Sequence, residues 1–177
     1  MRKYIIFTML ILGTLSSNAD VVFSMPDLNL TPGEKATLAI NLENDVNIDG
    51  FEMKVFLPEG ISFQGSTKTQ RVETTERTDG FTVSAANQAD GSYKMMVVNM
   101  DGEPLKAGEG AVLNLLIQAD EDAVLGSKEV RLGTVRYSNP DLVKLDDVKS
   151  TIYVTESVLE LANEADNNVA IASAAAS

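Results

Sequence analysis

From position 34 onward the chain changes side-chain polarity at every second residue and interrupts that rhythm with glycine and proline at short intervals. In "EKATLAINLEN" (34–44), Ala36, Leu38, Ile40 and Leu42 share one side while Thr37, Asn41 and Glu43 share the other, the period of a half-buried strand. "FEMKVFLP" (51–58) repeats the pattern, with Phe51, Met53, Val55 and Leu57 inward and Glu52, Lys54 and Phe56 outward. Further strands are predicted at 81–87, 93–100, 111–119, 128–137 and 149–156. Turn signals separate them: Pro32-Gly33, Asp49-Gly50, Pro58-Glu59-Gly60, Asp79-Gly80, Asp90-Gly91, Asp101-Gly102 and Asn139-Pro140. Proline presets φ at one corner and glycine supplies positive φ at another. Short strands at this spacing, with almost no helical periodicity, predict an all-β sandwich or barrel.

One strand carries an irregularity. In "KEVRLGTVRY" (128–137) the apolar phase slips from Val130 and Leu132 to Val135 and Tyr137, which a β-bulge at Gly133 would explain. "GEG" (108–110) leads into a strand without the following lysine and hydroxyl of a phosphate loop, so a hairpin-type turn is expected there.

The two ends differ from the middle. Arg2 and Lys3, an apolar run to Leu15 and "SSNA" ending at Ala19 have the form of a secretory signal peptide over 1–19, with the domain expected over 20–156. No other stretch approaches the roughly 18 apolar residues of a membrane span, so no stable span is expected after signal cleavage. Removing Arg2 and Lys3 takes the 14 basic residues to 12 against 26 acidic, a net charge of −14. Such a surface repels nucleic acid. With no cysteine, the exported fold must be held by its core alone, and the expected location is the periplasm, the cell surface or the extracellular space. In the tail (157–177), Ser157 and Glu160 have capping-box spacing, so a short helix or an unstructured segment is expected.

Composition also bears on chemistry. Histidine and cysteine are absent, which removes the usual imidazole bases and zinc ligands. No catalytic residue, cofactor or metal site is expected, and an enzyme is the least favoured class. The acidic clusters "NDVNID", "DED" and "DLVKLDD" lack the spacing of an EF-hand loop. A sugar platform stacks rings on exposed aromatics. Here tryptophan is absent, and Tyr93, Tyr137 and Tyr153 occupy strand positions that suit core or rim.

The stretch "IDGFEMKVFLPEGISF", followed by "DGSYKMMVVNMDGEPLKAGEGAVLNLLIQAD", resembles cohesin-like domains, especially the divergent forms of exported bacterial proteins. Gly50, Phe51, Leu57, Pro58 and Gly60 match the family's glycine, aromatic, alternating strand and proline turn. Gly108, Gly110, Leu113 and Leu115 match its later strand pair. The resemblance spans 20–156 and implies a two-sheet antiparallel jelly roll of about nine strands that binds rather than catalyses. Its implied partner is a protein, such as a dockerin-like module or another exported protein, with a soluble polysaccharide as the alternative. By analogy with the face cohesins use, the expected site is the outer face bearing Glu52, Lys54, Phe56, Ser84, Lys94, Met96 and Val98. "YKMMVVNM" (93–100) is apolar on both sides, so Met96 and Val98 either meet a partner or lie under the 64–80 connection or the tail.

Overall fold

The computed structural model describes residues 20–156. They form twelve strand segments and two short 3-10 turns in two facing sheets. β1 (Val21–Ser24), β3 (Lys35–Asn44) and β9 (Gly108–Ala119) build sheet A, with β5 (Ile61–Phe63) and β6 (Val72–Thr74) end to end along the free edge of β9. Sheet B runs β2 (Leu28–Leu30), β12 (Val148–Val154), β10 (Gly126–Asn139), β4 (Gly50–Phe56), β8 (Tyr93–Asn99) and β7 (Phe81–Asn87). β11 (Asp141–Lys144) folds back on β10 as a hairpin. The expected antiparallel sandwich is what the chain forms. The count exceeds nine because β2, β5, β6 and β11 have only three or four residues each, too few to show a period. The β2–β12 pair is parallel.

The alternation in β3, β4 and β9 places Leu38, Ile40, Phe51, Met53, Val55, Leu113, Leu115 and Ile117 between the sheets, all buried as expected. Phe23 and Phe51 pack across the layer at 5.3 Å between ring centroids. Burying one such side chain stabilises the fold by about 1.5–3 kcal/mol relative to leaving it exposed. No helix among the described residues is long and apolar enough to cross a membrane.

The bulge lies one residue beyond the expected glycine. β10 pairs Gly133 with Lys54 and Arg136 with Glu52, so two residues of β10 oppose the single Met53. Thr134 takes the left-handed conformation at φ 53° and resets the phase, bringing Val135 inward after Leu132. Gly133 instead leaves room for its neighbours, since a Cβ there would stand 2.7 Å from Arg131 Nη1 and 3.0 Å from the Phe56 ring.

Gly108 to Gly110 are not a hairpin turn. They open β9, opposite Asn44 and Leu42 of β3. The reason is Arg77, in the 3-10 turn Glu76–Thr78, whose side chain lies over Gly108 and Gly110. Its Nη1 donates to the Leu42 carbonyl at 2.6 Å and its Nη2 to Asn44 Oδ1 at 2.7 Å and the Lys106 carbonyl at 3.1 Å. Burial pulls the Arg77 pKa below its ordinary value.

The 64–80 connection does not cover Met96 and Val98. It continues along sheet A from β5, pairing with β9 through β6 before the chain passes to β7. The signal peptide expected over 1–19 and the helix or tail expected over 157–177 lie outside the described residues.

Candidate functional site

β4, β8 and β7 are consecutive in sheet B, so their outward residues share one surface. The register sets Met96 opposite Glu52 on one side and Ser84 on the other, Val98 opposite Gly50, and Lys94 opposite Lys54. All seven expected residues, Glu52, Lys54, Phe56, Ser84, Lys94, Met96 and Val98, therefore occupy this one face.

Two lysines directly opposite would repel. Each is turned to a carboxylate instead: Lys54 to Asp90 at 2.7 Å and Lys94 to Glu52 at 2.8 Å. Glu52 also receives Arg136 at 3.3 Å. Arg131 pairs with Asp147 at 2.6 Å while its guanidinium lies 3.8 Å above the Phe56 ring, in the space that Gly133 leaves free. Phe56 is thus half-buried beneath an arginine and is not a free apolar anchor. Lys149 and Glu129 add a fifth pair at 3.0 Å on the neighbouring strands β12 and β10. All five ion pairs among the described residues lie on this face or its rim. Exposed pairs contribute only about 0–1 kcal/mol each, so their consequence is an ordered charge pattern more than stability.

Within this charged frame Met96 is 42 % exposed. It stands between two shallow depressions. One, of about 130 Å³, is walled by Val98, Leu142, Glu52 and Arg136. The other, of about 210 Å³, is walled by Ser84, Ala86, Gln88 and Lys94. Gly50, in the wall of the first, has no room for a side chain, since a Cβ there would meet the Val97 carbonyl oxygen at 2.7 Å and Val98 Cγ1 at 2.8 Å.

Sequence reasoning missed Arg131, Arg136, Asp90, Asp147 and Leu142. Residues 131 and 136 are an odd number apart and would normally face opposite ways; the bulge at Thr134 puts both outward. The slip in apolar phase was the signal that could have found Arg136. Leu142, 65 % exposed, reaches the face only because β11 folds back on β10.

Tyr93 and Tyr137 are buried and Tyr153 is exposed on β12, so the tyrosines form no strip. Among the described residues, no group of three or more acidic side chains is placed to hold a metal ion.

Asp90 accepts from the Ser92 hydroxyl and backbone N–H as well as from Lys54, and these bonds, led by that of Lys54, hold its carboxyl well below the usual carboxylate range. A depressed folded pKa stabilises the fold above the unfolded value of about 3.9, and the contribution is lost as pH falls through the folded one. A carboxyl-carbon NMR titration is expected to find Asp90 still ionised at pH 3. Asp90→Asn is expected to lower stability at pH 7, with the difference vanishing in stronger acid. A midpoint near 4 would show that Lys54 does not hold it.

No family model matches the chain and no curated protein matches it. Solved structures do. A non-cellulosomal cohesin from the archaeon Archaeoglobus fulgidus is similar with a TM-score of 0.63 at 11 % identity, over 82 % of this chain and 98 % of that one. A type I cohesin from Pseudobacteroides cellulosolvens gives 0.59 at 12 % identity, over 78 % and 94 %. The cohesin of a type I cohesin–dockerin complex from Clostridium thermocellum gives 0.57 at 15 % identity, over 79 % and 99 %. The chain therefore has a cohesin-like fold.

Proposed function

We propose that this cohesin-like fold is a non-catalytic, exported binding module whose outer face on β4, β8 and β7 receives a protein partner, a dockerin-like module or another exported protein. One observation carries the proposal: Met96 stands exposed between two depressions, inside a frame of ion pairs. An apolar anchor with a polar rim is the anatomy of a small protein interface. Charge supports the same face. Five of the chain's 14 basic residues stand there with four paired carboxylates, in a chain whose net charge is −12. These paired groups sum to +1 in an acidic chain, which favours the approach of an acidic partner over a basic one. Export rests on the pattern of 1–19. The absence of histidine and cysteine from the sequence supports a non-catalytic role. One of the structural neighbours is a cohesin in complex with a dockerin, which supports a partner of that kind.

The methionine methyl groups make a direct test. Met53 and Met95 are buried whereas Met96 and Met100 are exposed. In methyl NMR spectra, adding dockerin modules or candidate exported proteins is expected to move Met96 and leave Met53 nearly in place. Saturable binding that shifts only residues of sheet A would move the site elsewhere.

A further inference from the structure

A second site lies on the open side of the sandwich, away from the proposed protein-binding face. There β5 of sheet A and the connection that follows it stand across from the C-terminal end of β4, the end of β7 and the start of β8 in sheet B. A cavity of about 380 Å³ opens between them, walled by Leu57, Ser62, Phe63, Arg71, Asn87 and Tyr93. Its volume lies in the range of small-molecule sites.

Arg71 dominates its chemistry. The guanidinium carbon lies 5.4 Å from the Phe63 ring centroid and 5.1 Å from that of Tyr93, and the two rings are 5.0 Å apart. Nε donates to the Gly65 carbonyl at 2.9 Å and Nη1 to Asn87 Oδ1 at 2.7 Å. The group is therefore held flat and aimed, with the N–H bonds of Nη2 making no hydrogen bond to any described residue. The bond to Nη1 also orients the Asn87 amide, leaving its Nδ2 as a donor.

Among the described residues no acidic side chain lines this cavity, in a chain with 26 of them. Two nearby carboxylates are already engaged, Asp90 by Lys54 and Ser92, and Asp120 by the hydroxyl of Ser62 in the cavity wall. A half-buried arginine with free donors, a second donor beside it and no counter-ion together ask for an acceptor-rich anion. A planar carboxylate matches the guanidinium fork. The apolar walls of Leu57 and Phe63, the Asn87 amide and the Ser62 oxygen, which keeps its acceptor capacity while donating to Asp120, suit a body that is apolar on one side and hydroxylated on another.

We propose that this cavity binds the carboxylate of a sugar acid, a hexuronic acid, with Arg71 and Asn87 as its ligands. The carboxylate takes the free Nη2 donors, and Asn87 Nδ2 donates to a ring hydroxyl or to the second carboxylate oxygen. The site is independent of the face that carries Met96.

The test is an NMR titration of the whole chain with D-glucuronate, beside D-glucose and acetate at equal concentration and ionic strength. Glucuronate is expected to move the Arg71 Nε–H and Asn87 side-chain amide resonances saturably, glucose to leave them in place, and acetate to act at least fivefold more weakly. Arg71→Met keeps the aliphatic stem over the rings and is expected to abolish the response. Asn87 is exposed, so Asn87→Ala should keep the parent melting temperature and weaken binding at least threefold. Met96→Asp is expected to leave glucuronate binding unchanged. Glucose acting like glucuronate, acetate acting equally well, or a response that survives in the folded Asn87→Ala chain at full strength would each overturn the assignment. So would the absence of any shift at 50-fold excess over a millimolar dissociation constant.

Discussion

Met96→Asp is expected to weaken partner binding by about 2 kcal/mol or more, roughly 30-fold, while the chain keeps the parent's melting behaviour. The side chain is 42 % exposed and projects from β8 between two depressions, so an aspartate there is solvated in the free chain. In the complex the same carboxylate would be desolvated beside Glu52, its cross-strand neighbour, without a partner of its own. That separation of effects matters because a buried Met96 would give the opposite result, a large loss of stability with binding lost only as a consequence. Phe56→Asp is a less direct probe, since it also removes the ring on which Arg131 rests. Thermal melts and a titration with the same partner check both halves. A stable Met96→Asp chain with unchanged affinity would remove this face from consideration.

Arg77→Met is expected to cost about 2–3 kcal/mol of stability. Arg77 ties the 3-10 turn Glu76–Thr78 to the ends of β3 and β9 through the carbonyls of Leu42 and Lys106 and the Asn44 side chain. Asn44 is buried, and its Nδ2 already donates to the Val46 and Lys106 carbonyls. Its Oδ1 accepts from Arg77 alone among the described residues. Methionine fills the space over Gly108 and Gly110 but leaves that acceptor dry, and an unpaired buried acceptor costs about 1–3 kcal/mol beyond the bonds themselves. Arg77→Lys should fall between, since one ammonium cannot span all these oxygens. Urea denaturation of the three chains gives the ranking. A loss below about 0.5 kcal/mol for Arg77→Met would show that water takes over the role of the guanidinium.

What was legible in the residues was what depends on neighbours two positions away. Leu38, Ile40, Phe51, Met53 and Val55 declare their side of the sheet by alternation, because a strand turns successive side chains to opposite faces regardless of what it later meets. The outward set from Glu52 to Val98 could be grouped for the same reason, and the phase slip in β10 announced a bulge. Longer-range partnerships decided the rest. Whether "GEG" is a turn or the start of a strand depends on Arg77, some thirty residues away in sequence. Whether Met96 is covered depends on which sheet the 64–80 connection joins. Arg131 and Arg136 reach one face only through the left-handed backbone at Thr134, and Arg71 becomes an aimed donor only where Phe63 and Tyr93 of opposite sheets bring their rings together. Alternation reports which way a side chain points. What stands opposite it is set by strand pairing and sheet packing, whose partners are scattered along the chain and leave no periodic trace in it.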